Sequence, residues 1–412
     1  MKKKDLVVGI DVGTTHIRVI VGEPLPDGSI NIIGVGLSPS EGLKKGIIVD
    51  LDETVQAITN AVEEAERMIG SKIEEACIGL PGLNVELVSN KGVVAVTSED
   101  REIGDEDVDR VMQATRVIAL PSDRDIVEVM PREFIVDGYD GIKDPIGMLG
   151  VRLEVDALVV TSPITSMRNL ERCVNRADIN VNELILQPLA NAETSLSKDE
   201  KELGVFLLDM GGGKTELSFF QNGILQQLSV VPVGGNHITN DLAVGLRTSF
   251  KSAESLKLEY GCAFSAMADP ESKLEIVGVG GKQVQEVSER ELASFIEPRV
   301  QEILQLSKDA MIRMGWEETP PAGVVLTGGV SLMDGVTEMA EKIFGGPVRI
   351  AQPKFVGVQS PIYTTAVGIV YSTLKRNKQA VAEKKKPERK ANQGVIGRVW
   401  HRLSSWLAEV FE

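Results

Sequence analysis

Apolar residues repeat along the chain at two spacings, and the change between them divides it. The run LVVGIDV at residues 6–12 is apolar on both faces, as a strand covered on two sides requires. It breaks at Gly13-Thr14-Thr15 and resumes as HIRVIVG and, after a turn, INIIGVG. The same order returns as GVFLLDM, a turn at Gly211-Gly212-Gly213-Lys214, then TELSFF, a QNG turn and QQLSVVPVGG. β-Branched and aromatic residues between glycine-containing turns predict three consecutive strands in each copy. Asp11 and Asp209 close the first strand of each copy, 198 residues apart. A repeat at that distance predicts an α/β body built from two related halves, not a short-period solenoid.

Steps of three and four mark helices. Val108, Val111, Met112 and Thr115 share one side of GDEDVDRVMQATRV, and Val336, Met339, Ala340 and Ile343 follow the strand and glycine pair of VVLTGG. The first of these helices lies in residues 84–162, where strands and turns alternate without any phosphate-binding pattern, which predicts an inserted α+β interaction subdomain. At the far end Val395, Ile396, Val399, Trp400, Leu403, Trp406, Leu407, Val410 and Phe411 form a helical stripe opposite Arg398, His401, Arg402 and Glu409. The preceding residues 375–393, rich in Lys, Arg, Ala, Gln and Glu, read as a disordered charged linker.

Composition narrows the class. With 42% hydrophobic and 25% charged residues among 412, the chain is an ordinary globular one with room for two or three domains. Cys77, Cys173 and Cys262 stand far apart without CxxC spacing, so neither a disulfide framework nor a zinc site is suggested. The start MKKKDLVVGIDVG has a charged end like a signal peptide's, but Asp11 interrupts the apolar run and no small-residue cleavage site follows, so it reads as a strand. No segment approaches the roughly 18 apolar residues of a membrane span.

Charge adds a division of its own. The net charge of -16 argues against non-specific nucleic-acid binding by the body. Residues 375–412 carry ten Lys/Arg against four Asp/Glu, a local +6, which leaves -22 on residues 1–374. A basic linker of nineteen residues, with a reach of about 25 Å, leads to an amphipathic helix about 28 Å long. Its polar half keeps it in the interface plane of an anionic membrane surface, not across it. The alternative is a helix that packs on the body or in a partner's groove.

The two glycine turns carry the chemistry. Gly13 and Gly211, Gly212 and Gly213 let backbone N–H groups converge on a phosphate, and Thr14, Thr15 and Thr215 add hydroxyls. Two such turns facing each other would clamp a polyphosphate, with Asp11 and Asp209 as hard-oxygen acceptors for Mg²⁺ or its waters. GGGKT is not a Walker A loop: that motif requires glycine at position 208, where Leu208 stands, and strand follows instead of helix. GVGGKQV at 278–284 lacks the spacing of a dinucleotide fingerprint and reads as a loop. Gly328 and Gly329, between strand and helix, suit close approach to a base or ribose. Glu254 and Lys257 share a helix face three residues apart, which by itself reads as a surface ion pair.

These segments resemble the actin-like ATPase superfamily. IDVGTTHIRV is similar to its first phosphate loop, LLDMGGGKTELS to its second, VVLTGGVSLMDG to its adenosine loop, and ILQPLANAETSL and SPIYTTAVGIV to its connecting helices. The resemblance implies ATP or ADP with Mg²⁺ as ligands and weak ATP turnover at most. It implies nucleotide contacts from the turn residues with Lys214, Glu254, Lys257, Gly328, Gly329 and Ser331, and a water-orienting role for Gln187. Lys214 departs from the Thr or Ser of many relatives.

Within the superfamily, PREFIVDG, DPIGMLGVRLEVD and CIGLPG resemble the inserted subdomain of the FtsA family of bacterial cell division proteins. That resemblance implies a two-lobed body: 1–83, 163–195 and 360–374 as the first actin-like subdomain with 84–162 inserted, 196–244 and 306–359 as the second, and 245–305 as its outer subdomain. It further implies that the outer subdomain takes the C-terminal peptide of FtsZ, with Lys282, Arg290 and Arg299 as basic contacts. The chain would self-associate into filaments, recruit later division proteins through the insertion, and sit peripherally on the cytoplasmic side of the cell membrane at the septum. A sugar-kinase-like phosphotransferase with a partner-binding tail and a pilus-assembly adaptor remain as alternatives.

Overall fold

Residues 6–27, 29–278 and 284–385 are described by the structure, a computed structural model of the chain. The body begins with the strands β1 (Val7–Val12), β2 (His16–Pro24) and β3 (Ile30–Pro39), then a two-residue ladder of β4 (Leu43–Lys44) and β5 (Ile47–Ile48). Helix α1 (Leu51–Ile69) follows, started by the Asp50 carboxylate accepting the N–H groups of Asp52 and Glu53 and ended by Gly70 in the left-handed region. Its apolar face, including Ile58, Ala61 and Ala65, covers the first sheet. After β6 (Glu75–Leu80) the chain leaves for the insertion and returns through α3 (Ile164–Arg176) to β11 (Asn180–Leu186).

The insertion comprises β7 (Glu86–Ala95), α2 (Asp105–Ala114), β8 (Arg124–Val136), β9 (Tyr139–Ile142) and β10 (Arg152–Pro163), an antiparallel sheet in the order β7-β10-β8-β9. It has its own core of Ile103, Val111, Phe134, Val136, Leu153 and Val155, as the alternating pattern of residues 84–162 predicts. Arg124 closes its root: Nη2 donates to the carbonyls of Asn84 and Thr161, at 2.9 Å each, where the chain enters and leaves.

The second half runs α4 (Gln187–Ser195), α5 (Lys198–Leu203), β12 (Val205–Met210), β13 (Thr215–Gln221), β14 (Ile224–Val231), α6 (Gly235–Gly245) and α7 (Phe250–Tyr260). It continues with β15 (Leu274–Val277), β16 (Val284–Val287), α8 (Glu289–Arg313), β17 (Val324–Thr327), α9 (Val336–Phe344), β18 (Val348–Ile350) and α10 (Thr364–Lys385).

The duplication predicted from the two glycine turns is present strand for strand. One sheet has the order β3-β2-β1-β6-β11 and the other β14-β13-β12-β17-β18. In each, the first three strands form an antiparallel meander, and two further strands join the first in parallel. Even the turns close alike, Gly13 N–H on the His16 carbonyl at 3.2 Å and Gly211 N–H on the Lys214 carbonyl at 3.0 Å.

Two expected boundaries fall inside helices. α8 runs unbroken through residue 305, and its buried residues join one core with the second sheet and with Leu274, Ile276 and Val287 of the β15–β16 hairpin. The body ends at Ser372, and the second unit, from Thr373, is described as far as the end of α10. Residues 375–385, expected to begin a disordered linker, continue that helix. Their Lys, Arg, Gln, Ala and Glu side chains are strong helix formers. The predicted amphipathic helix at 394–412 lies outside the described residues.

Candidate functional site: a polyphosphate cleft between the two halves

The two glycine turns meet. A Cβ on Gly212 would lie 2.3 Å from the methyl carbon of Thr15, and one on Gly213 would lie 2.7 Å from that of Thr14. Both positions therefore require glycine for close approach, and the two turns border one cavity of about 540 Å³. Asp11, Gly13, Thr14, Thr15, Gln187, Asp209, Gly211, Gly212, Gly213, Lys214, Glu254, Lys257, Gly328 and Gly329 all line it. Residues spread over more than 300 positions of sequence are thus brought together as expected from their motifs.

Two expected contacts do not reach the cavity. The Thr215 hydroxyl is fully buried and donates to the Val233 carbonyl at 2.9 Å. Thr215 opens β13, and the pleat turns its side chain away from the face that Lys214 and Glu216 share. The hydroxyl of Ser331, equally buried, donates to the Gly328 carbonyl at 2.7 Å and shapes the loop instead of lining the cleft.

The register of the two hairpins adds residues that the motifs do not name. Asp11 pairs across its hairpin with Arg18, and Asp209 pairs in the equivalent place with Glu216. The halves therefore set a cation against one aspartate and an anion against the other. Arg18 Nη1 lies 3.6 Å from Asp11 Oδ2. Burial raises the Asp11 pKa, opposed by the charges of Arg18 and Lys214. Burial pushes the Asp209 pKa up to about 6, with the Glu216 and Asp11 carboxylates adding to the rise and Lys214 opposing it. Glu216, 4% exposed, bonds Lys214 and accepts the Gly82 N–H at 2.8 Å. It thereby ties the second turn to the point where the chain leaves for the insertion.

Helix α4 serves both aspartates. Gln187 Nε2 donates to Asp11 Oδ1 at 2.8 Å, and Asn191 Nδ2 donates to Asp209 Oδ2 at 3.0 Å. In this arrangement the amide of Gln187 faces the Asp11 carboxylate from the wall of the cleft. Lys257, which also lines the cleft, is 8% exposed and donates to Glu254 at 2.7 Å, to Thr239 Oγ1 at 2.8 Å and to the Gly235 carbonyl at 3.2 Å. Burial lowers its pKa, and Glu254 opposes the shift. The Glu254–Lys257 pair is thus part of the cleft wall, held against α6, and not a surface ion pair.

The donor set fits magnesium held mainly by phosphate and water. The carboxylates of Asp11, buried, and Asp209, half-buried, supply hard oxygens, and among the described residues no group of three or more His, Cys, Asp or Glu could form a protein cage. The basic contacts expected on the outer subdomain divide. Lys282 lies outside the described residues, and Arg290 is exposed in the first turn of α8. Arg299 is held by Asp241, at 2.6 Å and 3.1 Å, and by Glu302, so its charge joins α8 to α6.

Comparison with known proteins agrees with this architecture. Residues 206–368 match the family model described as "Cell division protein FtsA", and residues 82–161 match "SHS2 domain inserted in FTSA". The chain is 47% identical over 370 residues to the FtsA of Bacillus subtilis strain 168, covering 90% of this chain and 84% of that one. It is 37% identical over 407 residues to the FtsA of Pseudomonas aeruginosa, covering 98% and 97%. Among solved structures, the PilM–PilN type IV pilus biogenesis complex aligns with a TM-score of 0.62 at 16% identity, over 89% of this chain and 98% of that one. MreB5 of Spiroplasma citri bound to AMPPNP aligns with a TM-score of 0.56 at 15% identity, over 91% and 98%. Those two likenesses are of fold, which is the actin-like one. The relatives at 47% and 37% identity, aligned over 84% and 97% of their lengths, decide the family: this chain belongs to the FtsA family of cell division proteins.

Proposed function

We propose that the chain binds ATP with Mg²⁺ between its two halves and, in that form, tethers FtsZ filaments to the cytoplasmic face of the cell membrane at the division septum. The observation that carries the reading is the meeting of two glycine turns and two aspartates in one cleft of a chain of this family. The backbone N–H groups of both turns and the hydroxyls of Thr14 and Thr15 bind phosphate oxygens, while Arg18 and Lys214 supply positive charge. Mg²⁺ bound there neutralises phosphate charge, with Asp11 and Asp209 holding its waters. Gly328 and Gly329 let the backbone lie against the nucleoside, and Glu254 and Lys257 meet the ribose. A protein of the same fold carries AMPPNP, which supports this ligand class.

Residues 394–412 lie in the membrane interface, with Trp400 and Trp406 at headgroup depth and the basic segment before them drawn to anionic lipid. Lys282 and Arg290 contact the acidic C-terminal peptide of FtsZ, the insertion meets later division proteins, and the actin-like body stacks into filaments. Two measurements test this. A fluorescent ATP analogue should bind the full chain, and binding should weaken when Asp11 or Asp209 is replaced by Ala. The full chain should sediment with anionic liposomes and carry FtsZ with it, and a chain ending at Lys385, which keeps α10 whole, should not. Equal sedimentation of both forms overturns the tether.

A further inference from the structure

Asp209 is the harder of the two aspartates to hold. It faces a like charge, Glu216, where Asp11 faces Arg18. The described hydrogen bond from a side chain to its carboxylate comes from Asn191 Nδ2, on a residue 1% exposed. The other end of that amide is also engaged: Thr365 Oγ1, on α10, lies 2.8 Å from Asn191 Oδ1 across 174 residues of sequence. A rotated amide would set Oδ1 against a carboxylate oxygen, two acceptors face to face, so the Thr365 hydroxyl must donate and Nδ2 must point at Asp209.

Backbone packing keeps the three in line. α4 leads from the first half into the second, and α10 follows the second half. At their contact a Cβ on Gly368 would lie 2.0 Å from the Ala190 carbonyl oxygen. That approach, one turn from Thr365 and next to Asn191, keeps the two side chains side by side, with Asn191 buried and Thr365 at the border of the cleft.

We propose that Asn191 is a positioning residue for Asp209, set in place by Thr365, so that the contact between the two connecting helices fixes the carboxylate that meets the magnesium nucleotide. The proposal rests on the nucleotide reading above. Asn191 touches neither phosphate nor nucleoside in it and acts through Asp209 alone. Loss of the Asn191 amide therefore has to appear in the magnesium-dependent part of nucleotide affinity and not in the part that the glycine turns supply.

The test uses the full chain and four forms: wild type, Asn191→Ala, Thr365→Val and Thr365→Ser. Affinity for a fluorescent ATP analogue is measured in Mg²⁺ and in EDTA, with the urea midpoint of each form as a check on folding. Groups that orient metal-binding side chains typically contribute about 10- to 100-fold in metal affinity. The gain on adding Mg²⁺ is expected to shrink by that order in Asn191→Ala and in Thr365→Val, a shape-conserving change, with affinity in EDTA nearly unmoved. Thr365→Ser, which keeps the hydroxyl, is expected to restore the gain. A gain that survives in both Asn191→Ala and Thr365→Val overturns the proposal, as does equal loss in the Val and Ser forms at matched midpoints. Wild type that binds nucleotide equally with and without Mg²⁺ overturns the positioning role alone. Wild type that binds none in either condition overturns the nucleotide reading itself, and the proposal with it.

Discussion

A partly desolvated carboxylate close to two others cannot ionise freely, and Asp209 is that carboxylate. Its pKa, 3.8 in the open chain, stands at about 6 in the folded protein. Between these values the folded state holds more protons than the unfolded one, so stability falls as pH rises through that window. Below about 4 both states are protonated and nothing is lost; above about 6 the full penalty, about 3 kcal/mol for a shift of about two units, is present. Free of nucleotide and Mg²⁺, wild type should therefore gain stability from pH 7 to pH 5 relative to Asp209→Asn. The variant should be the more stable form at pH 7, because its amide oxygen still accepts from Asn191. Urea unfolding at the two pH values checks this, and parallel pH dependences in the two proteins would show that Asp209 is not the group responsible. Asp11 and Asp209 were legible in the sequence because each closes an apolar strand before a glycine turn and the pattern occurs twice. Arg18 and Glu216 were legible in principle, since each is the hairpin partner of an aspartate seven positions earlier. Asn191 and Thr365 were not, because their only link is tertiary.

Among elements, the contact of α4 with α10 is the tightest that the site depends on. Gly368→Ala places a methyl group against the Ala190 carbonyl and should destabilise the chain by about 1–3 kcal/mol, the usual range for overpacking. The denaturant midpoint measures it, and an unchanged midpoint would mean that the helices slide apart without loss. Glu216 makes the second junction, between β13 and the root of the insertion. Glu216→Ala leaves the Gly82 N–H without its acceptor and Lys214 without its nearest counter-charge, but Asp11 and Asp209 remain near Lys214 and Asp209 loses a like-charged neighbour, so the loss should be about 1–3 kcal/mol, below that of a buried charge left with no partner. A loss well below 1 kcal/mol would show that water replaces the carboxylate. Element type followed from periodicity in both sheets, in the insertion and in α9. Element ends did not: α8 and α10 run past the expected boundaries because Ser307, Ala310 and Met311 carry the buried face of α8 on beyond residue 305, and good helix formers continue the second.

At the scale of the molecule, the charge of -22 on residues 1–374 and +6 on the remainder sets how the proposed tether responds to salt. An anionic membrane repels the body and attracts the basic segment, with each Lys or Arg near the surface contributing on the order of 1 kcal/mol at most. Screening reduces both effects, since the Debye length falls from about 10 Å at 0.1 M to about 3 Å at 1 M. Burial of the apolar stripe does not depend on salt in this way. Liposome binding should therefore weaken as salt rises but reach a floor above zero on anionic vesicles, and persist weakly on neutral ones. Trp400→Glu with Trp406→Glu should remove the floor, because two carboxylates cannot enter the interface beside Leu403 and Leu407. Replacing Lys384, Lys385 and Lys386 by Gln should lower binding at low salt and leave the floor in place. Sedimentation across a salt series with the three proteins separates the contributions. If the tryptophan variant still binds as wild type does, charge alone holds the chain to lipid, and the amphipathic helix is a partner-binding element instead.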